Sequence, residues 1–267
     1  MEVNKMESNK ISEKKSSHVQ SVERALMLIE LLAGASQELS LTEISSRINW
    51  PKSTVYGLLS TLRDYRFVDQ SEETGCYRLG IRFFELGSQI GHSWDIRAVA
   101  KPYMQKLNNR LGEMIQLATE DNGEVLYLEK IDSTHLIRIV SEIGRRLPMH
   151  CSGLGKCLLA YLPASRVKQI VRQHGMRSFT PYTLTSLPML EKELEKVRDQ
   201  GYAMDDQEIM EGLRCIAAPV FDGKGQVKYA VSVSAMCNQL SGDRLPQVIT
   251  LVKEAAVSIS AAMGNKV

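Results

Sequence analysis

The spacing of apolar positions changes period as the chain is followed from its start. Residues 1–17 are mostly Lys, Glu, Ser and Asn, too poor in apolar groups to build a core, and read as a disordered tail. From Ser21 to Ala33 the spacing is helical, with Val22, Ala25, Leu26, Ile29 and Leu32 in one stripe and Met27, Leu28 and Leu31 outside it. A helix apolar around so much of its circumference is expected to bury one side in its own domain and another against a partner. Next, Ser40 and Glu43 form a capping box ahead of Leu41, Ile44 and Ile48, which share a helical face. Asn49-Trp50-Pro51 stops that helix, because the residue before a proline avoids the α region and proline suits a helix start. Val55, Leu58, Leu59 and Leu62 then mark a second helix whose inward face leaves Lys52, Ser53, Thr54, Tyr56 and Ser60 pointing out. Two short strands, 66–70 and 76–79, flank the polar turn Ser71–Gly75 as a hairpin. This order predicts a winged helix-turn-helix, whose second helix offers its first residues to the DNA major groove.

Beyond the hairpin, residues 80–91 predict a short connecting helix. Another follows from Ser93 to about Leu111, interrupted or begun anew at Pro102 and stopped by Gly112. The organisation expected is a winged domain at 18–80, a helical linker at 81–95 that transmits orientation, and a second domain at 96–267. In that domain strands are predicted at 114–119, 124–131, 136–140, 202–205, 215–221 and 227–235. Helices fall at 154–161, 163–174, 187–200 and 241–263. Strands in hairpin order with helices between them make an α+β domain with a mostly antiparallel sheet.

Composition narrows the function. Hydrophobic residues at 43% and charged residues at 24% describe a soluble globular chain, and its net charge of +2 does not announce a nucleic-acid binder. Residues 1–80 carry ten Lys/Arg against eleven Asp/Glu, a net of −1, so any DNA surface must be a local patch of Arg47, Lys52, Arg63 and Arg66 against Asp64. The candidate DNA contacts are Arg47, Lys52, Ser53, Thr54, Tyr56, Ser60 and Arg63. Lys52 suits a phosphate or a guanine edge, Ser53 and Thr54 suit phosphates or a helix cap, and Tyr56 suits a base or the backbone. The five cysteines form no CxxC pair, as expected of reduced thiols in a cytosol, and no apolar run of membrane-spanning length is evident.

Gly153-Leu154-Gly155-Lys156 has the look of a phosphate loop, but His150 stands at the earlier glycine position and Cys157 follows the lysine. A tight strand-to-helix turn with free amides, able to hold a carboxylate, is the better reading. Ser232 and Ser234 alternate with Val231, Val233 and Ala235, so both hydroxyls leave one face of a strand, toward a ligand or toward core backbone. His150 beside Cys151 invites a thiol catalyst or a zinc site. Neighbours on a strand face opposite ways, and no ligand pair has zinc spacing, so neither enzyme chemistry nor a metal or cofactor is expected.

Three strings carry a family resemblance: Pro51-Lys52-Ser53-Thr54-Val55-Tyr56, the run Gly144–Lys156, and the run Glu211–Phe221. In that order they resemble the IclR-type bacterial transcription regulators, over about Ser17 to Gly264. The resemblance implies a winged helix-turn-helix, a helical linker and a GAF-like effector domain, in a dimer or dimer of dimers on a palindromic operator. It also implies a small organic, keto or sugar acid held near Leu136, Ile139, Gly153, Leu154, Asp205, Leu213, Cys215, Ser232 and Ser234. A repressor is the favoured mode. The rival is an enzyme or signalling module built on the GAF-like domain, with the winged helix serving protein contacts alone. One departure is Gly57, where many similar proteins carry arginine in the recognition helix, so the operator sequence does not transfer.

Overall fold

The structure, a computed structural model, describes residues 19–93, 96–135 and 142–265, with backbone alone for 88–93. The tail at 1–17 and the strand expected at 136–140 lie outside the described residues. The chain divides into two compact units, residues 1–93 and 94–267.

The first unit runs α1 (Gln20–Ala33), α2 (Leu41–Ile48), α3 (Lys52–Asp64), β1 (Val68–Gln70), β2 (Tyr77–Leu79) and α4 (Arg82–Ser93). Its core joins Leu28, Leu32, Leu39, Ile44, Val55, Leu59, Leu62, Val68 and Tyr77. The capping box forms as expected: the Glu43 amide donates to Ser40 Oγ at 3.3 Å and the Ser40 amide to Glu43 Oε2 at 2.8 Å. The Ser40 amide, and after it the Ser40 hydroxyl, donate to the exposed Glu43 carboxylate and hold it below its ordinary range. Asn49 takes the left-handed conformation at φ 53 that ends α2. β1 and β2 pair Val68 with Leu79, Asp69 with Arg78 and Gln70 with Tyr77, and Leu39 makes an isolated antiparallel bridge to Tyr77. The first turns of α4 belong to this unit, since Glu85 bonds Arg66 at 2.9 Å and Phe83 packs edge-on to Phe67.

The buried face of α1 centres on Leu28 and Leu32, whereas Val22 and Leu26 of the expected stripe are 56% and 55% exposed. Periodicity cannot choose a face on a helix that is apolar nearly all round; packing chooses it.

The second unit runs α5 (Ile96–Leu111), β3 (Met114–Asp121), β4 (Glu124–Ile131), β5 (Arg146–Pro148), α6 (Gly153–Leu159), α7 (Ala164–His174), α8 (Leu187–Gln200), β6 (Ala203–Asp206), β7 (Leu213–Phe221), β8 (Val227–Met236) and α9 (Arg244–Ala262). Six strands form one sheet in the order β5-β4-β3-β8-β7-β6, and every described pairing is antiparallel. The β3–β4 turn places Asn122 and Gly123 at positive φ, as a tight hairpin requires. α5 continues through Pro102 without a break, contrary to the interruption expected there.

Side chains alternate across this sheet. Ile115, Leu117, Val231, Val233, Ile216 and Ala218 face α5 and α9, whereas Ala118, Ala230 and Ala217 face α6, α7 and α8. Gln116, Ser232 and Ser234 therefore fall on the α6 side. α9 is long and apolar enough by length and composition to cross a membrane, which corrects the expectation of no such run. Its Val248, Val252, Ala256 and Ile259 are packed into the core against the sheet.

Candidate functional site

In the first unit, burial of Val55, Leu59 and Leu62 turns the opposite side of α3 to solvent. Lys52 and Ser53 in its first turn are exposed, as are Tyr56 and Gly57, while Thr54 and Ser60 are half-buried. Arg47, in the last turn of α2, is exposed as well. The turn between the helices is held by Ser45 Oγ donating to Trp50 O at 2.5 Å, and the Arg24 guanidinium lies over the Trp50 ring at 5.3 Å. Arg63 stands apart from the other candidates. Its Nη1 donates to Gln70 Oε1 at 2.7 Å, tying the end of α3 to the hairpin, a link between distant positions that helical spacing does not show. A Cβ added at Gly57 would meet nothing within 4 Å, so the chain itself gives no reason for glycine there.

In the second unit, the turn into α6 shapes a cavity. Ser152 caps the helix, accepting from the Gly155 amide at 3.1 Å, and donates to Pro148 O at 2.9 Å. A Cβ at Gly155 would stand 2.3 Å from Met149 O, so only glycine fits the crossing. Gly155→Ala is expected to cost about 1–3 kcal/mol through forced backbone movement. Urea unfolding of the variant checks this, and an unchanged midpoint would remove the steric reading.

The cavity, of about 90 Å³, is lined by Gly153, Leu154, Asp205, Leu213, Cys215, Ser232 and Ser234, bringing those expected residues to one place. Leu136 and Ile139 lie outside the described residues. Gln116, Tyr127, Arg145, Leu147, Ser152, Ile209 and Met210 complete the lining and were not anticipated. A signal existed for Gln116, a lone amide between Ile115 and Leu117 in an otherwise apolar strand. Ser234 Oγ donates to Gln116 Oε1 at 2.8 Å and Ser232 Oγ at 3.5 Å, with Cys215 Sγ 3.0 Å from Ser234 Oγ. The two serines thus hold a side-chain amide, neither free of partners nor bonded to backbone. Asp205, 1% exposed, accepts from the Glu208 amide at 2.7 Å. Burial lifts its carboxyl to about 7, against the pull of that amide.

Lys156, behind this turn, is fully buried and ion-paired to Glu208, with Glu193 at 3.9 Å. Burial raises the Glu208 carboxyl, and its Oε2 has no partner among the described residues. The lysine of the Gly-Leu-Gly-Lys run is therefore committed to protein carboxylates, in line with rejection of a phosphate loop. His150 and Cys151 lie in the turn after β5, not on a strand as assumed in setting them apart. His150 Nε2 is 3.0 Å from Arg177 O, and burial pushes the Cys151 thiol up to about 12. Burial thus opposes thiolate formation, the reverse of what a nucleophile needs. All five cysteines are free thiols.

A model of the bacterial transcriptional regulator IclR C-terminal domain matches residues 88–261, and one of the IclR helix-turn-helix domain matches residues 21–72. The chain belongs to the IclR family. It is 36% identical over 246 residues to the HTH-type transcriptional regulator XynR of Escherichia coli, covering 92% of this chain and 98% of XynR. It is likewise 36% identical over 247 residues to the HTH-type transcriptional repressor AllR of Salmonella typhi, at 92% and 91% coverage. The crystal structure of Thermotoga maritima IclR superposes with a TM-score of 0.78 at 27% identity, over 92% of this chain and all of that one. An IclR homolog from Microbacterium hydrocarbonoxydans, complexed with 4-hydroxybenzoate, gives a TM-score of 0.81 at 25% identity over 91% and 98%. As an IclR-family member the chain is a transcriptional regulator, and the enzymatic rival falls. The α+β fold agrees with that assignment throughout the described residues.

Proposed function

We propose that the chain is a repressor which binds a palindromic operator in the cytoplasm, and that a small organic, keto or sugar acid in the second unit's cavity modulates its grip. The observation that carries this is the solvent-facing start of α3, where Lys52, Ser53 and Tyr56 stand exposed above a fully buried opposite face. Donors at the start of a second helix suit phosphate and base-edge contacts in the major groove. Winged residues 18–80, linker 81–95 and effector domain 96–267 remain the proposed division of labour. Repression is supported by the repressor role of AllR, and an acid effector by the 4-hydroxybenzoate complex of the Microbacterium relative.

A homodimer, or dimer of dimers, accounts for the outer face of α1. Val19, Val22, Leu26 and Met27 are 46–64% exposed there, beside Glu23 and Glu30. A second copy bringing the same face would cover it, and two-fold symmetry in the protein would be mirrored in the operator. The ligand would act by favouring one of two pre-existing arrangements of the paired DNA heads, through the helical linker.

Lys52→Ala is expected to weaken operator binding and to reduce the salt slope by about 0.9 for each phosphate that Lys52 neutralises. Fluorescence anisotropy across a salt titration measures both. An unchanged slope and affinity would take Lys52 out of the interface.

A further inference from the structure

A second cavity in the C-terminal unit, of about 170 Å³, lies between the β3–β4 turn, the segment Pro148–His150 and the end of α7. Size separates the two cavities. An apolar hollow of about 150 Å³ accepts benzene; the first cavity is smaller than that and the second is larger. One wall of the second is apolar, made by Leu159, Ile170 and Phe179.

Its polar groups form a complementary set. His150 is 5% exposed, and its Nε2 lies 3.0 Å from Arg177 O. A carbonyl only accepts, so that nitrogen carries the proton and the neutral ring keeps Nδ1 as an acceptor. Burial, with Lys156 nearby, favours the neutral ring. Nδ1 has no hydrogen-bond partner among the described residues, and it is not sealed from solvent. His174 repeats the arrangement, its Nε2 lying 2.8 Å from Asn122 O. The Arg177 guanidinium, over the Phe179 ring at 5.4 Å, makes no ion pair among the described residues. Glu124 also lines the cavity, with Arg146 3.8 Å from its carboxylate. A ligand matching this set has a carboxylate for Arg177, a hydroxyl to donate to an imidazole Nδ1, and a flat apolar body.

We propose that this cavity is a second small-molecule site of the regulator, and that it takes a monocyclic carboxylic acid bearing a ring hydroxyl. The stretch Leu147–Leu154 contributes to both cavities, so the two sites share a wall.

The test is calorimetric titration of the full chain with 4-hydroxybenzoate, with and without saturating pyruvate, repeated on Arg177→Ala, His174→Gln and Ser234→Ala. Arg177 and His174 are surface side chains, and circular dichroism verifies that each variant folds. Saturable binding is expected that persists under pyruvate and in Ser234→Ala. Arg177→Ala should weaken it roughly tenfold or more, as removing a hydrogen bond to a charged group does. His174→Gln should weaken it by a smaller factor, and benzoate should bind less tightly than its hydroxylated form. The proposal is overturned by absence of saturable binding. It is equally overturned by binding that pyruvate or Ser234→Ala abolishes while Arg177→Ala leaves it intact, which would put the ring in the first cavity. Failure of pyruvate itself to bind counts against an acid effector in the first cavity and leaves the second to be judged on 4-hydroxybenzoate alone.

Discussion

Lys156→Met is expected to lower the stability of the C-terminal unit by about 3–5 kcal/mol, the usual cost of stripping one partner from a buried ion pair. Lys156 is 1% exposed and Glu208 6%, so methionine would fill the volume but leave a buried carboxylate without its cation. In a unit of this size the melting temperature should fall by on the order of 10 °C. Two controls separate charge from packing. Adding Glu208→Gln should restore most of the loss, because a neutral pair of similar shape has no ion to desolvate. Acidification should also narrow the gap. Glu208 has a folded pKa above its unfolded value near 4.5, so the stability tied to its protonation is present below that value and is lost as pH rises through the folded one. A loss under about 1 kcal/mol, or one the double variant does not relieve, would show that the pair is not what holds the α6 turn in place.

The second large effect concerns Asp205, which sits in the cavity with its carboxyl lifted from 3.8 to about 7 by burial. The raised value makes the folded state hold a proton that the unfolded chain has released between those pH values. Stability is therefore greatest below about pH 4 for this group and declines as pH rises to about 7. At about 1.4 kcal/mol per pH unit, the full decline is about 4 kcal/mol. Asp205→Asn should abolish it, because the amide oxygen still accepts from the Glu208 amide and carries no charge to desolvate. The variant should be more stable than the parent at pH 8, nearly equal to it at pH 4, and impaired in its response to a small acid. Urea midpoints for both proteins across that range decide the point. Parallel curves would mean that Asp205 is ionised and solvated in the folded state.

Much of this molecule could be read from its residues. The helix-turn-helix was legible because cap, break and second amphipathic helix each depend on neighbours within a few positions. Helix 187–200 and strand 124–131 carry equally local signals, and both formed with those bounds. Where the reading failed, long-range packing had decided. Which side of α1 is buried, left open by periodicity, was set by the core around Leu28. Strand β5 is three residues ending in a proline, too short to show alternation, and it exists because β4 offers it an edge. The first cavity was half legible: the alternation of Ser232 and Ser234 located one wall. That Gln116 faces them follows from the β3–β8 register, and that Asp205 is dry follows from its place beneath α6. Arg63 was expected on the DNA face as part of a local basic patch, and the hairpin claims one of its donors through Gln70.

The most direct test is a competition binding measurement of the purified full chain, using fragments of its own genome against random duplex at fixed physiological salt, with and without a small carboxylic acid. At least one fragment should be bound on the order of a thousandfold tighter than random duplex, with a footprint of two-fold symmetry, and one or more acids should shift that affinity. Equal affinity for every fragment and for random duplex, with or without acid, would contradict the proposed function at its root.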